Sequence, residues 1–203
     1  MILGIIGGVG AGKSTVLKLL QTEYGFRLLM ADDIAKQLMN EQGPCREQLR
    51  QAFGNRIFNA AGSIDKAVYG ALIYGSEAAR KRSDAIVHPA VWQYLEREAD
   101  AARAAGAKAR LAIETALPNR DLHGLCDEVW YVYANPAVRT KRLMDARGYT
   151  REKCAAVMSS QISEACFSER SDYVLDNSGS EAETRARIDA LLHAAAAREA
   201  QSR

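Results

Sequence analysis

Residues 1–15 read MILGIIGGVGAGKST, and this stretch decides the fold. The first six residues, MILGII, form a short continuous apolar run. Such runs fill strands covered on both faces, as in a parallel sheet. GGVGAGKST, residues 7–15, then places Gly7, four residues, Gly12, Lys13 and Ser14 in the G-x-x-x-x-G-K-[ST] pattern. Glycine lets the chain turn tightly and bring amide groups toward phosphate oxygens. A helix expected from about Lys13 to Glu23 adds its unpaired amides and the positive end of its dipole. The backbone of Gly8, Val9, Gly10, Ala11 and Gly12 supplies the cradle. Lys13 is suited to the β- and γ-phosphates of a nucleotide, Ser14 to a Mg²⁺ ion, and Thr15 to packing or capping. The competing reading is a glycine-rich turn that binds nothing, and it leaves a lysine between strand and helix unexplained. The G-x-G-x-x-G dinucleotide fingerprint fails: its third glycine falls on Lys13 or on Thr15.

Outward from the loop, Phe26–Met30 reads as a second strand and Asp32-Asp33 as the opening of a helix to about Met39. Carboxylates there suit a helix start, as caps or against the dipole. Residues 47–105 read as mostly helical, with Leu49, Phe53, Ile57 and Phe58 apolar and a turn at Gly62-Ser63-Ile64-Asp65 ending in a cap. His88-Pro89 precedes an amphipathic helix over 90–106, where Pro89 fits a first helical position. Strands follow at 109–114, 128–134 and 172–177, with a basic helical segment at 136–166. An alanine-rich helix from Glu181 carries Ile188, Leu191 and Leu192 on one side, and its last residues fray. Strands separated by helices specify an α/β layer fold with a five-stranded parallel sheet.

The 203 residues carry 27 Lys and Arg against 25 Asp and Glu, a net charge of +2 with 48% hydrophobic residues. This excludes a disordered chain and a general nucleic-acid coat. No apolar run reaches membrane-spanning length, and the N-terminus lacks the basic and small-residue marks of a signal peptide. Cys45, Cys126, Cys154 and Cys166 are scattered, without the spacing of a zinc site. Four free thiols suit a reducing compartment, so a cytoplasmic location is expected.

A phosphate loop leaves three classes: kinase, nucleotide switch, and ATP-driven motor. No NKxD segment marks a GTPase. The nearest candidate for a Walker B carboxylate is Glu114, at the end of LAIE. A small kinase, working by positioning and charge compensation, fits best. Asp32 follows the second strand about twenty residues after the loop, where strand ends of a parallel sheet gather. There it could accept a hydroxyl proton or help orient Mg²⁺; helix capping is the alternative. Arg139 and Arg142 are three apart and share one side of a helix, with Arg147, Arg151 and Lys153 beyond. They form either cations aimed at transferring phosphate or a solvated basic face. Trp92, Trp130, Tyr131 and Tyr133 read as core.

Taken together, these stretches resemble the dephospho-coenzyme A kinase family from about residue 3 to 192. The resemblance rests on LGIIGGVGAGKST, LLMADDIAKQL, GSIDKAVYGALIY, IVHPAV and SSQISEACFSERSDYVLDNSGS. It implies a P-loop kinase three-layer sandwich. The core would lie at about 1–35, 107–135 and 168–203, a helical acceptor-binding part at about 36–106 and a lid at about 136–167. It implies transfer of the ATP γ-phosphoryl to the 3′-hydroxyl of dephospho-CoA with Mg²⁺. ATP and dephospho-CoA would be the partners of a monomer, without nucleic acid or membrane. Asp32 matches the general base, and Lys13 and Ser14 match the phosphate and metal residues. Arg142 matches a lid arginine near ATP, His88 the acceptor-side histidine, and Asn177 and Gly179 the loop beside the adenine.

Four places depart from the family's pattern. Met30 replaces the first aspartate of a usual pair. ETALP, residues 114–118, replaces a proline-leucine-leucine-phenylalanine-glutamate segment. Ala146 stands where a second lid arginine is usual, with Arg147 following, and Val157 replaces an arginine ahead of the glutamine. They keep two further readings open: a related kinase acting on a nucleoside, nucleotide or other small alcohol, and a catalytically degenerate nucleotide-binding regulator.

Overall fold

The computed structural model describes residues 1–106, 108–115 and 122–201. The chain divides into two compact units, one of residues 1–28 and 105–203, the other of residues 29–104. Residues 116–118 of the ETALP segment lie outside the described residues.

Five strands form one parallel sheet: β1 (Ile2–Ile6), β2 (Arg27–Met30), β3 (Leu111–Glu114), β4 (Glu128–Tyr133) and β5 (Tyr173–Asp176), in the order β2-β3-β1-β4-β5. All five residues of β1 are buried, as its unbroken apolar run requires of a central strand. β1 pairs in parallel with β3 on one side (Ile5 opposite Glu114) and with β4 on the other (Ile5 opposite Trp130). β4 pairs with β5, Tyr133 opposite Asp176. The carboxyl ends of β1, β3 and β5 therefore deliver the phosphate loop, Glu114 and Asn177 to one edge, where open α/β sheets bind ligands. With its helices the sheet makes the three-layer α/β sandwich of P-loop kinases. Trp130, Leu3, Ile5, Leu111, Ile113 and Leu175 fill its core. Helices α1 (Lys13–Thr22) and α9 (Glu181–Gln201) pack on each other, and Ile188 is fully buried.

The second unit is helical: α2 (Ala31–Asn40), α3 (Pro44–Phe53), α4 (Lys66–Gly75) and α5 (Glu77–Ala104). The 28-residue α5 is its spine, packing against the other three and burying Val87, Val91, Trp92, Leu95 and Ala99. Asp65 caps α4 through the amides of Ala67 and Val68, as the turn at 62–65 predicts.

Several local expectations change. Pro89 lies inside α5 rather than at its start. An internal proline forfeits one helical hydrogen bond and costs about 3 kcal/mol. Apolar burial on both sides, from Val87 through Ala99, carries the helix through it. Neither Asp32 nor Asp33 caps α2: Met30 is the N-cap, no side-chain cap bond forms, and Asp33 pairs with Lys36 at 2.7 Å. The segment 136–166 is three helices, α6 (Pro136–Arg147), α7 (Arg151–Ser159) and α8 (Glu164–Glu169). Breaks fall at Gly148, whose φ of 62° ends α6, and at the caps Thr150 and Ser163. α9 stays helical to Gln201, supported at its start by a reciprocal Ser180–Glu183 cap.

Candidate active site

Gly7 leaves β1 with φ of 152°, and a Cβ there would sit 2.5 Å from the carbonyl oxygen of Val132. Only glycine lets the chain turn this close to β4. Gly12, at φ 85° and ψ 31°, is the N-cap of α1 and contributes no side chain. Among the described residues, the amides of Gly10, Gly12, Lys13 and Ser14 meet no protein acceptor. Four donors at the positive end of a ten-residue helix make an anion cradle. Ser14 stands exposed in the first turn, and Thr15 turns its amide back to Gly12 O at 3.0 Å.

The Lys13 ammonium donates to Gly7 O at 2.8 Å and lies 3.5 Å from Glu114 Oε1, whose side chain is 12% exposed. Glu114 thus holds the loop lysine across the β1–β3 pair. The hydroxyl of Ser14 and the carboxylate of Glu114 are hard oxygen donors. Among the described residues no group of three or more His, Cys, Asp and Glu could hold a metal. That donor set fits Mg²⁺, which keeps waters and phosphate oxygens and takes few protein ligands.

Four side chains from the far half of the chain hold the loop through its backbone. Asn177, 2% exposed, donates from Nδ2 to Ala11 O at 2.8 Å and to Gly12 O at 3.3 Å. Its Oδ1 accepts from the buried Thr184 hydroxyl at 2.7 Å. Arg142 donates to Ala11 O at 3.2 Å and to Asn177 O at 2.8 Å. Arg139, 7% exposed, donates from Nε to Val9 O at 2.9 Å, and Gln161 Oε1 accepts from Val9 N at 3.0 Å. α7 is tied to α6 where Cys154 Sγ meets Thr140 O at 3.8 Å. Tyr131 of β4 stacks on Phe167 of α8 at 5.0 Å between ring centroids.

Several expected site residues therefore meet in the first unit: Gly8, Val9, Gly10, Ala11, Gly12, Lys13, Ser14, Thr15, Arg142 and Asn177. Gly179 follows in the turn before α9. Asp32 and His88 belong to the helical unit. Asp32 is exposed in the first turn of α2, directly after the carboxyl end of β2. His88 lies 3.6 Å from Asp84 one turn earlier on α5 and is half-exposed. Arg139 is no solvated basic residue. Gln161 carries no charge and lies 152 positions from Val9, so spacing gave no sign of its contact; only its place in the family-like SSQ stretch marked it.

Three comparisons with known proteins agree. The family model described as dephospho-CoA kinase matches residues 1–183. The dephospho-CoA kinase of Geobacillus kaustophilus is 33% identical over 192 residues, covering 95% of each chain. That of Staphylococcus haemolyticus is 32% identical over 191 residues, 94% of each. Among solved structures, TT1252 from Thermus thermophilus superposes with a TM-score of 0.73 at 28% identity, covering 95% of this chain and 96% of that one. The dephospho-CoA kinase from Campylobacter jejuni superposes at 0.67 and 20% identity, covering 95% of each, which supports the fold alone.

Proposed function

This chain belongs to the dephospho-CoA kinase family, and from that premise we propose that it transfers the ATP γ-phosphoryl group to the 3′-hydroxyl of dephospho-CoA, yielding ADP and coenzyme A. At the coarser level it is a P-loop kinase acting on a small nucleotide or alcohol substrate. The observation that carries the finer reading is the braced loop with Lys13 and its unpaired amides, in a chain matched along its length by dephospho-CoA kinases.

In this reading the triphosphate lies on residues 7–15, with the amides of Gly10, Gly12, Lys13 and Ser14 on its oxygens. Lys13 exchanges Gly7 O and Glu114 for the β- and γ-phosphates. Ser14 would hold Mg²⁺, which when bound neutralises phosphate charge and orients the transferring group. Asp32 takes the proton of the acceptor hydroxyl as its oxygen bonds to the γ-phosphorus; the bond to the bridging oxygen breaks and ADP departs with that electron pair. Arg142 and Lys13 stabilise charge on the transferring group. His88 and the helical unit take the acceptor, and the loop around Asn177 and Gly179 borders the adenine. The protein works as a cytoplasmic monomer in coenzyme A synthesis.

Met30 and the altered stretch beginning at Glu114 favour, as a second reading, a kinase for another small alcohol. A coupled ADP-release assay across dephospho-CoA, adenosine, nucleoside monophosphates and shikimate separates the two. Dephospho-CoA is expected to give the highest kcat/KM. Preference for another acceptor supports the second reading, and nucleotide binding without transfer to any supports a regulator.

A further inference from the structure

Arg139 carries a full charge in a place that supplies almost none to oppose it. Its side chain is 8% exposed. Its close partners are neutral: Val9 O at 2.9 Å and Gln161 Oε1 at 3.0 Å. Among the described residues the carboxylate paired with it, Glu164, lies 3.9 Å from Nη1 and is half-exposed, so solvent weakens that pair. Taking a guanidinium out of water is unfavourable unless it is compensated. The chain could have compensated it at position 161, where the side chain touches the guanidinium directly, yet the residue there is the uncharged glutamine.

The orientation of Gln161 is fixed by what surrounds it. Its Oε1 faces two donors, Val9 N at 3.0 Å and Arg139 Nη2 at 3.0 Å, so the oxygen and not the NH₂ must point inward. Both polar groups of the Val9 residue are thereby occupied, its N–H by Gln161 and its C=O by Arg139. The fit is close: a Cβ on Gly8 would lie 2.5 Å from Arg139 Nη2 and 2.9 Å from Gln161 Oε1. The charge therefore lies directly against the loop that presents the unpaired amides.

We propose that Arg139 is a positioning residue whose buried charge is matched by the bound polyphosphate through the loop, and that Gln161 holds it in place while leaving that charge unneutralised. The anion that binds the loop adds the counter-charge that the half-exposed Glu164, 3.9 Å away, supplies only weakly. This rests on the reading that the loop binds ATP. It assigns Arg139 no contact with substrate; it acts by fixing Val9 and by its field in a poorly solvated place, where charges interact more strongly than in water.

Gln161→Glu tests this. The change is isosteric, and a carboxylate accepts from both Val9 N and Arg139, so the clamp's geometry survives. It also supplies the missing counter-charge. The melting temperature of the nucleotide-free protein should hold or rise. ATP affinity, measured by calorimetry, should fall about tenfold, equivalent to about 1.4 kcal/mol. A clamp with a purely structural role predicts unchanged ATP affinity in this variant. Gln161→Ala, which removes the acceptor and adds no charge, should lower both the melting temperature and the affinity. Wild-type ATP affinity in Gln161→Glu overturns the charge proposal; wild-type affinity in Gln161→Ala overturns the positioning role. If the unmodified protein binds no ATP, the functional reading fails, and that result is seen before any variant is compared.

Discussion

Replacing Asn177 with alanine removes three hydrogen bonds, two to the phosphate loop, at Ala11 O (2.8 Å) and Gly12 O (3.3 Å), and one from Thr184 of α9 at 2.7 Å. None of the partners is stripped bare. Ala11 O keeps Arg142, Gly12 O keeps the amides of Thr15 and Val16, and the Thr184 hydroxyl keeps Ser180 O at 3.1 Å. The loss is therefore the net worth of the bonds plus a small cavity, about 2–3 kcal/mol, not the larger penalty of stranded buried groups. In a chain of this size that lowers the melting temperature by about 5–10 °C. Asn177→Asp sharpens the test. An ionised carboxylate has no donor for Ala11 O or Gly12 O and presents lone pairs to both. At about pH 8 it should be destabilised at least as much as the alanine variant, by about 3–4 kcal/mol. On acidification to about pH 5 its protonated form regains a donor, and the gap to wild type should narrow. Thermal melts of the three proteins at both pH values, with ATP affinity measured alongside, decide it. An Asn177→Asp protein that melts with wild type at pH 8 refutes the claim that donation to the loop carbonyls fixes the loop.

Other outcomes follow from the same geometry. Asp32→Asn should retain ATP affinity and lose about 10²–10⁴-fold in kcat; steady-state rates with dephospho-CoA check it, and unchanged kcat removes the base role. Lys13→Ala should weaken triphosphate binding and lower kcat/KM by about 10²-fold or more, read by calorimetry and initial rates. Stability should fall on acidification. Hydrogen bonds from Ser178 hold the Asp176 carboxyl below its ordinary value, with Arg187 assisting, and the Arg185 hydrogen bond does the same for Glu23. The unfolded chain then takes up protons at higher pH than the folded one. The contribution is whole above the ordinary carboxylate value and disappears as pH falls through the folded values. Urea midpoints between about pH 5 and 3 should decline, more shallowly in Asp176→Asn.

What was legible in the sequence was what lies close together in it. The loop's identity sits in consecutive residues, and β1 is recognisable because a strand buried on both faces has no polar alternation to disguise it. Asp65 was readable as a cap because cap and helix are neighbours. Contacts across the fold were not. Arg139 and Arg142 share a helix side, which was visible, but that they turn inward onto Val9 and Ala11 depends on residues 130 or more positions away. Pro89 misled because a proline's local preference for helix starts is weaker than the packing of a long buried helix. Asp33 misled as a cap because α2 begins two residues earlier, at Ala31; it therefore sits inside the first turn, where a carboxylate suits the helix dipole and pairs with Lys36.

The most direct measurement is product identification. The protein is incubated with ATP, Mg²⁺ and dephospho-CoA, and the products are resolved by mass spectrometry and phosphorus NMR. Equal amounts of ADP and a product phosphorylated on the ribose 3′-hydroxyl, identical to coenzyme A, are expected. Recovery of unmodified dephospho-CoA, or phosphate at another position, contradicts the account.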